Sequence, residues 1–440
     1  MLIGHITWSF MMHFAEFDKQ YFWKIFNKVF PLNRTLLSDE NFKSHKIIFG
    51  NTGIFKLLET PTGSKAFDWK IPKAWQINKF EFTNEKGKEI CSLSDNNLHL
   101  MTNSISFKGS FNFEDIKNNF YSLPAMPEAI PYLTSYYGKN WGICLKDSQL
   151  KKLDPNEKYQ IDIQTEFKNG NLLTSEYFKK GKKSKEIIFT SYLCHPSMAN
   201  NELVAPILLS MLAKYLEEIN TYWSYRILIS SETIGAISYI SKNLNHLKQF
   251  TKAGFTVTCF GDKGDFSVVH SRYSSNIADN LIRNFCKFKN INIKSYDWLE
   301  RGSDERQFCS PNVDLPFCTL CRTKFGEYDE YHTSLDNKNL ISNESLTKSF
   351  NFLINLIKYI EKCRYPLSTI CCEPFMTKYN LYPTIGGSKV RISVQDILDI
   401  HSFCDGTNTI EDIGFKVRKS TKEVKKFLDI LYENNLINYE

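Results

Sequence analysis

Four short apolar runs in the middle of the chain are rich in β-branched and aromatic side chains, and polar or ionisable residues follow each of them closely. The runs are 187–193 (IIFTSYL), 225–230 (YRILIS), 255–260 (FTVTCF) and 313–320 (VDLPFCTL). Their length and composition are typical of buried strands. Helix-length segments alternate with such runs at about 205–218, 234–249, 276–288 and 343–363. This alternation predicts an α/β domain in which helices flank a sheet.

The pattern changes on both sides of this domain. Residues 17–30 predict an aromatic-rich amphipathic helix that ends at Pro31, and residues 47–49 predict a short strand. Further along, short β-type runs alternate with Gly- and Asn-containing turns, which predicts a β-rich module inserted into the α/β domain. The expected limits are 17–63 together with 176–365 for the α/β domain, 64–175 for the inserted module, and 366–440 for a C-terminal domain.

The C-terminal domain contains helix-length segments at 394–404, 409–419 and 421–434, followed by a terminal strand at 436–439. Ser420 and Glu423 have the spacing of a capping box at the start of the last helix. Three small helices and a strand fit a winged-helix domain. The last helix carries both signs of charge (Lys422, Lys425, Lys426, Glu423 and Asp429), and this mixed face argues against nucleic acid as a partner.

Composition narrows the class of protein. The chain has 440 residues, 42% of them hydrophobic and 23% charged, with a formal charge of +7, as expected of a multidomain globular protein. No apolar window is long enough for a membrane helix, and the apolar N-terminal stretch lacks the features of a signal peptide. The 12 cysteines are scattered, so we expect buried thiols in a reducing cytoplasm, including the pair Cys371 and Cys372. Association into a homo-oligomer is left open.

Candidate chemistry lies at the ends of the predicted strands. His195, Glu232, Asp262 and His332 each follow an apolar run, and ligands bind beyond the carboxyl ends of strands in open α/β sheets. Imidazole and carboxylate groups brought together there are the ligands that zinc prefers. One such residue alone would be structural more often than not, but the repetition predicts a metal site. The segment 302–337 is also dense in ionisable groups, which favours a site over the alternative of a polar loop followed by a structural strand.

The chain resembles the aminopeptidase-like proteins of the DUF4910/DUF2172 group, relatives of the M28 zinc aminopeptidases. The segments that carry the resemblance are PLNRT (31–35), TGSKAFDWKIPKAW (62–75), IPYLTSYYGKNWGICL (130–145), SYLCHPSMANNEL (191–203), ETIGAISYI (232–240), GSDERQFCSP (302–311), RTKFGEYDEYHTSLDN (322–337) and CEPFMTKYNLYPT (372–384). The resemblance implies a zinc-aminopeptidase-like mixed sheet flanked by helices, with the inserted β-rich module and the C-terminal winged-helix domain.

The same resemblance implies roles for individual residues. His195 and His332 would each hold a metal ion, Asp262 would be a terminal ligand, and Glu232 would be the general base. The M28 pattern has two adjacent glutamates at this last position, but here Thr233 follows Glu232, so metal ligation competes as a role for the single acid.

A second departure concerns the bridging ligand. The M28 pattern has Asp-Asn-x-Ser-Gly where this chain has Asn201-Glu202-Leu203-Val204-Ala205, and a neutral amide is a poor bridge between two dications. Glu202 could supply the missing charge. The alternatives are a two-zinc site that uses Glu202, a one-zinc site, or a chain that has lost hydrolysis.

Asp304, Arg306 and Arg322 are candidates for substrate binding. Either arginine could hold a carboxylate or phosphate in a bidentate pair. Ion pairs with Glu305, Glu327 or Glu330 would explain these arginines equally well.

The predicted function is therefore a zinc-dependent hydrolase of aminopeptidase type that cleaves an amide bond in a small peptide or an N-acylated substrate, such as a precursor of surface polysaccharide. A binding or scaffold protein that has kept the fold but not the activity is the alternative, and Asn201 and Thr233 favour it. A DNA-binding regulator that uses the C-terminal domain is a third, weaker alternative, which steeply salt-dependent binding to duplex DNA would reveal.

Overall fold

A computed structural model describes residues 16–135, 138–382 and 388–440. An eight-stranded mixed sheet forms its centre, and the order across the sheet is Phe55–Pro61, Asn171–Lys179, Ser224–Ser230, Glu186–Tyr192, Thr251–Val257, Phe317–Cys321, Phe266–Val269 and Ile293–Tyr296. The four strands in the middle of this order are parallel to one another, and all their residues except Thr251 are buried. They overlap the four predicted apolar runs, although the last strand begins only at Phe317, so the α/β prediction is confirmed. Because they are parallel, their carboxyl ends meet at one edge of the sheet.

Helices cover both faces of this sheet. The long ones are Lys19–Val29, Asp39–Ile48, Val204–Glu218, Ile234–Phe250, Ile277–Lys289 and Asn343–Ile360, and Glu305–Phe308 is a short one. The short helices Phe113–Ile116 and Asp147–Leu150 belong to the inserted module. The strand predicted at 47–49 was wrong, because residues up to Ile48 form the last turn of a helix. Ser38 caps that helix by accepting a hydrogen bond from the amide of Asn41 (3.0 Å). The cap and the acidic first turn outweigh the short β-branched run.

The inserted module is a four-stranded antiparallel sheet in the order Glu89–Cys91, Ala74–Asn84, Lys158–Lys168 and Phe107–Asn112. Two smaller pairs, Lys65–Ala66 with Trp69–Lys70 and Phe120–Tyr121 with Ile143–Cys144, complete it. The module has its own apolar core, which includes Phe82, Trp141 and Tyr159. The main sheet resumes at Asn171–Lys179, so this strand lies partly inside the range predicted for the module.

The C-terminal domain consists of Ser388–Ser402, Ile410–Val417 and Thr421–Glu433, with Pro366–Ser368 pairing antiparallel to Ile437–Tyr439. The predicted capping box is present, since Ser420 and Glu423 bond each other's backbone amides. A buried lysine fixes this domain to the sheet. Lys252 donates to the carbonyl oxygen of Gly406 (2.5 Å) and to Glu440 Oε2 (2.7 Å).

The thiol prediction holds for most cysteines and fails for one pair. Cys371 and Cys372 are exposed, because they lie in the loop between Pro366–Ser368 and the turn Met376–Tyr379, whereas the other ten cysteines are buried. Among the described residues, no helix is both long enough and apolar enough to cross a bilayer. The N-terminal stretch considered above lies outside these residues.

Candidate active site

The site lies where the central parallel strands end. His195 follows Glu186–Tyr192, and Glu232 follows Ser224–Ser230. A residue between the first two helices and a residue of the second helix hold the loop that carries His195. Arg34 Nη2 donates to the carbonyl oxygen of Met198 (3.0 Å), and Asn41 Nδ2 donates to that of Leu193 (2.6 Å). The loop is therefore fixed on both sides of the imidazole.

Glu202 orients the His195 ring. A π-helical turn, Ala199–Leu203, places Glu202 entirely out of solvent, with its Oε1 2.6 Å from His195 Nδ1. The same carboxylate accepts the backbone amides of Cys194 (2.5 Å) and His195 (2.6 Å). Because these donors occupy the carboxylate, the imidazole presents Nε2 to the open side of the site.

The open side brings together the other imidazole and the candidate base. His195 Nε2 lies 3.7 Å from Glu232 Oε2, and the ring centroids of His195 and His332 are 5.3 Å apart. Tyr132, from the inserted module, lies beside both rings, with centroid distances of 5.0 and 5.2 Å. Tyr331 stacks on His332 at 3.9 Å. Three of the predicted residues therefore meet in one aromatic-walled pocket.

Glu232 stands at the start of a strained turn. Thr233 has φ 61° and ψ −76°, and the carbonyl oxygen of Glu232 accepts a hydrogen bond from the amide of Ile234 (2.7 Å). This is a γ-turn with positive φ, which is rare and costly for a residue other than glycine. His332 also has positive φ (56°). Strain of this kind persists where the surroundings hold it in place, and it is common at functional sites.

Asp304 and Arg306 hold the strained turn from the far side. Asp304 Oδ1 accepts the amide of Thr233 (2.7 Å), and Arg306 Nη2 donates to Thr233 Oγ1 (2.6 Å). The same Arg306 nitrogen lies 4.0 Å from Glu232 Oε1. Both residues predicted from the segment 302–311 thus adjoin the candidate base.

Asp262 and Arg322 are engaged elsewhere. Asp262 accepts hydrogen bonds from Thr323 Oγ1 (2.7 Å) and Asn200 Nδ2 (3.0 Å), because the loop after Thr251–Val257 turns its carboxylate towards the neighbouring strand end. The guanidinium of buried Arg322 lies over the ring of Phe266 at 4.8 Å. No contact seen among the described residues joins either side chain to His195, Glu232 or His332.

Two residues of the site had no role in the sequence interpretation. Asp336 accepts the amides of Ala199, Asn200 and Asn201 (3.1, 2.6 and 3.0 Å) and so holds the turn that carries Glu202. Tyr132 reaches the site from a module that the sequence separates widely from His195. Both belong to segments that carried the family resemblance, but no spacing rule links them to a histidine.

Comparison with known proteins identifies the family of this chain. Residues 23–363 match the family described as "Domain of unknown function (DUF4910)", and residues 364–439 match a winged helix-turn-helix family. The chain belongs to the DUF4910 family. A relative from Clostridium acetobutylicum, provisionally named a polysaccharide biosynthesis protein with an aminopeptidase-like domain, is 32% identical over 94% of this chain and 95% of its own.

Solved structures confirm the fold of this DUF4910 chain. A crystal structure from Clostridium acetobutylicum, provisionally named a peptidase, is 30% identical, covers 96% of both chains and has a TM-score of 0.78. A zinc aminopeptidase from Bacillus subtilis is 14% identical, with a TM-score of 0.55 over 79% of this chain and 94% of its own. This likeness confirms the predicted zinc-aminopeptidase-like fold, and the winged-helix match confirms the C-terminal domain.

Burial sets the charges in the site. It lowers the pKa of His332 to about 3, so this imidazole is neutral at neutral pH. Burial also lowers the pKa of His195, but Glu202 outweighs it and the net shift is upward. Burial raises the pKa of Glu232, while His195 and Arg306 oppose that shift. A neutral imidazole can bind a metal ion, and a carboxylate with a raised pKa can accept a proton near neutral pH.

The donor types on the Nε2 side of His195 suit a zinc ion. That side offers the neutral ring of His332 and the carboxylate of Glu232. A second grouping consists of Cys194, His195 and Glu202, whose ligand atoms lie within 4.8 Å of one another. It fits less well, because the 2.6 Å separation of Nδ1 and Oε1 is that of a hydrogen bond and burial keeps the Cys194 thiol protonated.

Proposed function

We propose that this chain is a zinc-dependent hydrolase of aminopeptidase type that cleaves an amide bond in a small peptide or an N-acylated substrate. The observation that carries the proposal is the orientation of His195. Glu202 occupies Nδ1 at 2.6 Å, which leaves Nε2 facing Glu232 at 3.7 Å and the His332 ring at 5.3 Å between centroids. A carboxylate behind a histidine is the usual support of a metal-binding imidazole.

In this proposal His195 and His332 would hold the ion, and Glu202 would act only by orienting His195. A bound zinc ion polarises a carbonyl oxygen and lowers the pKa of a coordinated water molecule. Glu232 would take the proton that this water releases, because its carboxylate lies beside Nε2 and is only one-fifth exposed. We do not assign Asp262 to the site, because its carboxylate already binds Thr323 and Asn200.

The inserted module limits the size of the substrate in this proposal. The amide of Tyr132 donates to the carbonyl oxygen of His332 (2.9 Å), and Ile130 exchanges backbone and side-chain bonds with Ser334. The module is therefore fastened over the His332 loop and narrows the approach to the imidazoles. The provisional name of the relative mentions polysaccharide biosynthesis, and we propose a precursor of surface polysaccharide as the substrate.

The test pairs metal content with turnover. Zinc is measured by elemental analysis in the full-length protein, and hydrolysis is measured on a panel of amino-acyl and N-acyl amides. We expect Glu232→Gln to abolish hydrolysis without unfolding the protein, and His195→Ala to remove zinc as well. Glu114→Gln, on the exposed surface of the module, is the matched control and keeps both. Unchanged turnover in Glu232→Gln would contradict the assignment of the base.

A binding or scaffold protein is the second candidate, and the composition of the site supports it. Asn201 supplies a neutral amide, Thr233 replaces an acid, and the Asp262 carboxylate is already engaged. This candidate predicts little or no zinc in carefully prepared protein and no turnover across the amide panel. Zinc at one equivalent together with hydrolysis excludes it.

A further inference from the structure

Arg306 has hydrogen-bonding capacity that the protein does not use. A guanidinium carries five N–H donors. Among the contacts of the described residues, Nη2 donates to Thr233 Oγ1 (2.6 Å) and lies 4.0 Å from Glu232 Oε1, the outer limit of an ion pair. The Nε atom is buried and has no partner. Both contacts involve Nη2, so most of the N–H donors of the guanidinium have no partner among the described residues.

The nearest acids are committed to other donors. Asp304 Oδ1 accepts the amide of Thr233 at 2.7 Å. Glu305 accepts the amides of Gly302 (2.9 Å) and Ser303 (3.2 Å) and the hydroxyl of Thr319 (2.6 Å). Glu327, which the sequence offered as a partner, lies 3.3 Å from Lys294 instead. Arg306 is therefore not held in a structural ion pair with any of these three carboxylates.

The Arg306 side chain is partly open to solvent beside the site. The Arg306 side chain is 38% exposed, whereas Asp304 and Glu305 beside it are buried. The side chain adjoins Glu232, and its charge acts on the hydroxyl of Tyr331, the residue stacked on His332. A group bound to Arg306 would thus lie next to the amide bond that is proposed to be cleaved beside Glu232, the proposed base.

We propose that Arg306 binds a carboxylate of the substrate, so that the substrate is an amide with an acidic group close to the bond that is cleaved. This inference rests on the proposed function for the position of that bond. Thr233 would act as a positioning residue, because its hydroxyl fixes one end of the guanidinium and leaves the rest of the planar fork for a bidentate partner.

The charge of the surroundings favours a carboxylate over a phosphate. Glu232 lies within 4.0 Å of the same guanidinium nitrogen, so an incoming anion meets one negative charge as well as one positive charge. A monoanion is tolerated there more easily than a dianion. No second arginine or lysine contacts Arg306, Thr233 or Glu232 among the described residues, and a phosphate site would need such a partner.

The test measures binding rather than turnover, with two probes that differ only in the anionic group. N-acetylalanine and N-acetylalaninamide are titrated calorimetrically into the full-length protein, freed of metal so that a carboxylate bound to zinc cannot be mistaken for one bound to Arg306. We expect N-acetylalanine to bind at least tenfold more tightly. Arg306→Gln should abolish that preference, and Arg306→Lys should keep only part of it. The exposed Arg283→Gln is the matched control and should keep all of it.

Three results would overturn the inference: equal binding of the two probes, no binding of N-acetylalanine at millimolar concentration, or an undiminished preference in Arg306→Gln. Binding of inorganic phosphate in place of N-acetylalanine would also overturn it. The outcome is separable from that of the proposed function. A preference that depends on Arg306 in a protein without hydrolytic activity leaves this inference standing and removes the hydrolase.

Discussion

Two glutamates flank the imidazole of His195, and they differ in burial and in hydrogen bonding. Glu202 is completely buried, and its two oxygens accept two backbone amides and His195 Nδ1 within 2.6 Å. Glu232 is one-fifth exposed, and the contacts of its carboxylate are His195 Nε2 at 3.7 Å and Arg306 at 4.0 Å. The Glu202 carboxylate has all its hydrogen-bond partners within the protein, whereas the Glu232 carboxylate can accept further ones.

This contrast distinguishes Glu202, which orients His195, from Glu232, which can take part in the reaction. A saturated carboxylate cannot take up a new ligand without giving up bonds that the fold needs, so the Glu202 side fixes the direction of His195. A carboxylate with long contacts can exchange them for a water molecule, a metal ion or a substrate. The sequence-based idea of Glu202 as a bridging ligand therefore finds less support than its role as the orienting carboxylate.

The largest predicted effect tests this contrast directly. Glu202→Ala leaves two amides and an imidazole without their acceptor in a buried place, which we expect to cost about 3–5 kcal/mol of unfolding free energy. Glu232→Ala loses only long contacts and should cost less than about 1 kcal/mol. The shift in the urea midpoint of the α/β domain, followed by tryptophan fluorescence, measures both. Equal losses in the two variants would contradict the division of roles.

A second prediction concerns the pH dependence of the unfolding free energy, to which His45 contributes. Burial lowers the pKa of His45 to about 4 from its ordinary value of 6.5, and Ser175 Oγ lies 2.8 Å from its Nδ1. Between those two values the unfolded chain binds the proton and the folded chain does not. The contribution is therefore present above pH 6.5 and lost as the pH falls to 4, by about 3 kcal/mol.

His45→Asn checks that prediction, because asparagine can bond Ser175 but does not titrate. Unfolding free energies of the wild type and the variant, measured from pH 7 to pH 4, should diverge by that amount, with the wild type losing more. The difference between the two proteins is the quantity to use, since His332 adds a slope of the same sign to both. Parallel curves would show that His45 is protonated in the folded state.

The strands that position His195 and Glu232 could be predicted from the sequence, but the way in which Glu202 reaches His195 could not. Apolar runs before His195 and Glu232 predicted the strands, and parallel strands bring their ends together. The π-helical turn Ala199–Leu203, which sends Glu202 back to His195, has no sequence signature. The conformation of the turn after Glu232 was harder to predict. A threonine with positive φ contradicts local preference, so only the hydrogen bonds that Thr233 makes with Asp304 and Arg306 explain why it can adopt this conformation.

The third prediction is smaller and concerns Asp304. Burial raises the pKa of this carboxyl well above its ordinary value, and Oδ1 accepts the Thr233 amide. A carboxyl whose pKa is raised is closer in charge to the amide of the same shape than an ordinary aspartate is. Asp304→Asn should thus change the unfolding free energy by less than about 1 kcal/mol, whereas Asp304→Ala should cost about 1–3 kcal/mol. Urea unfolding of both variants at pH 7 measures the difference, and a large loss in Asp304→Asn would mean that the carboxylate is charged.

The smallest predicted effect isolates the strain at Thr233. Glycine adopts positive φ without cost, so Thr233→Gly removes the strain and the hydroxyl together, whereas Thr233→Ala removes only the hydroxyl. We expect the glycine variant to be more stable than the alanine variant by about 1 kcal/mol, even though glycine also loosens the unfolded chain. Both variants should lose the same part of the N-acetylalanine preference, since Arg306 loses its fixed partner in each. If the alanine variant is the more stable one, the turn is not strained in solution. The surroundings of Glu232 then differ from those of Glu202 only in having fewer hydrogen bonds.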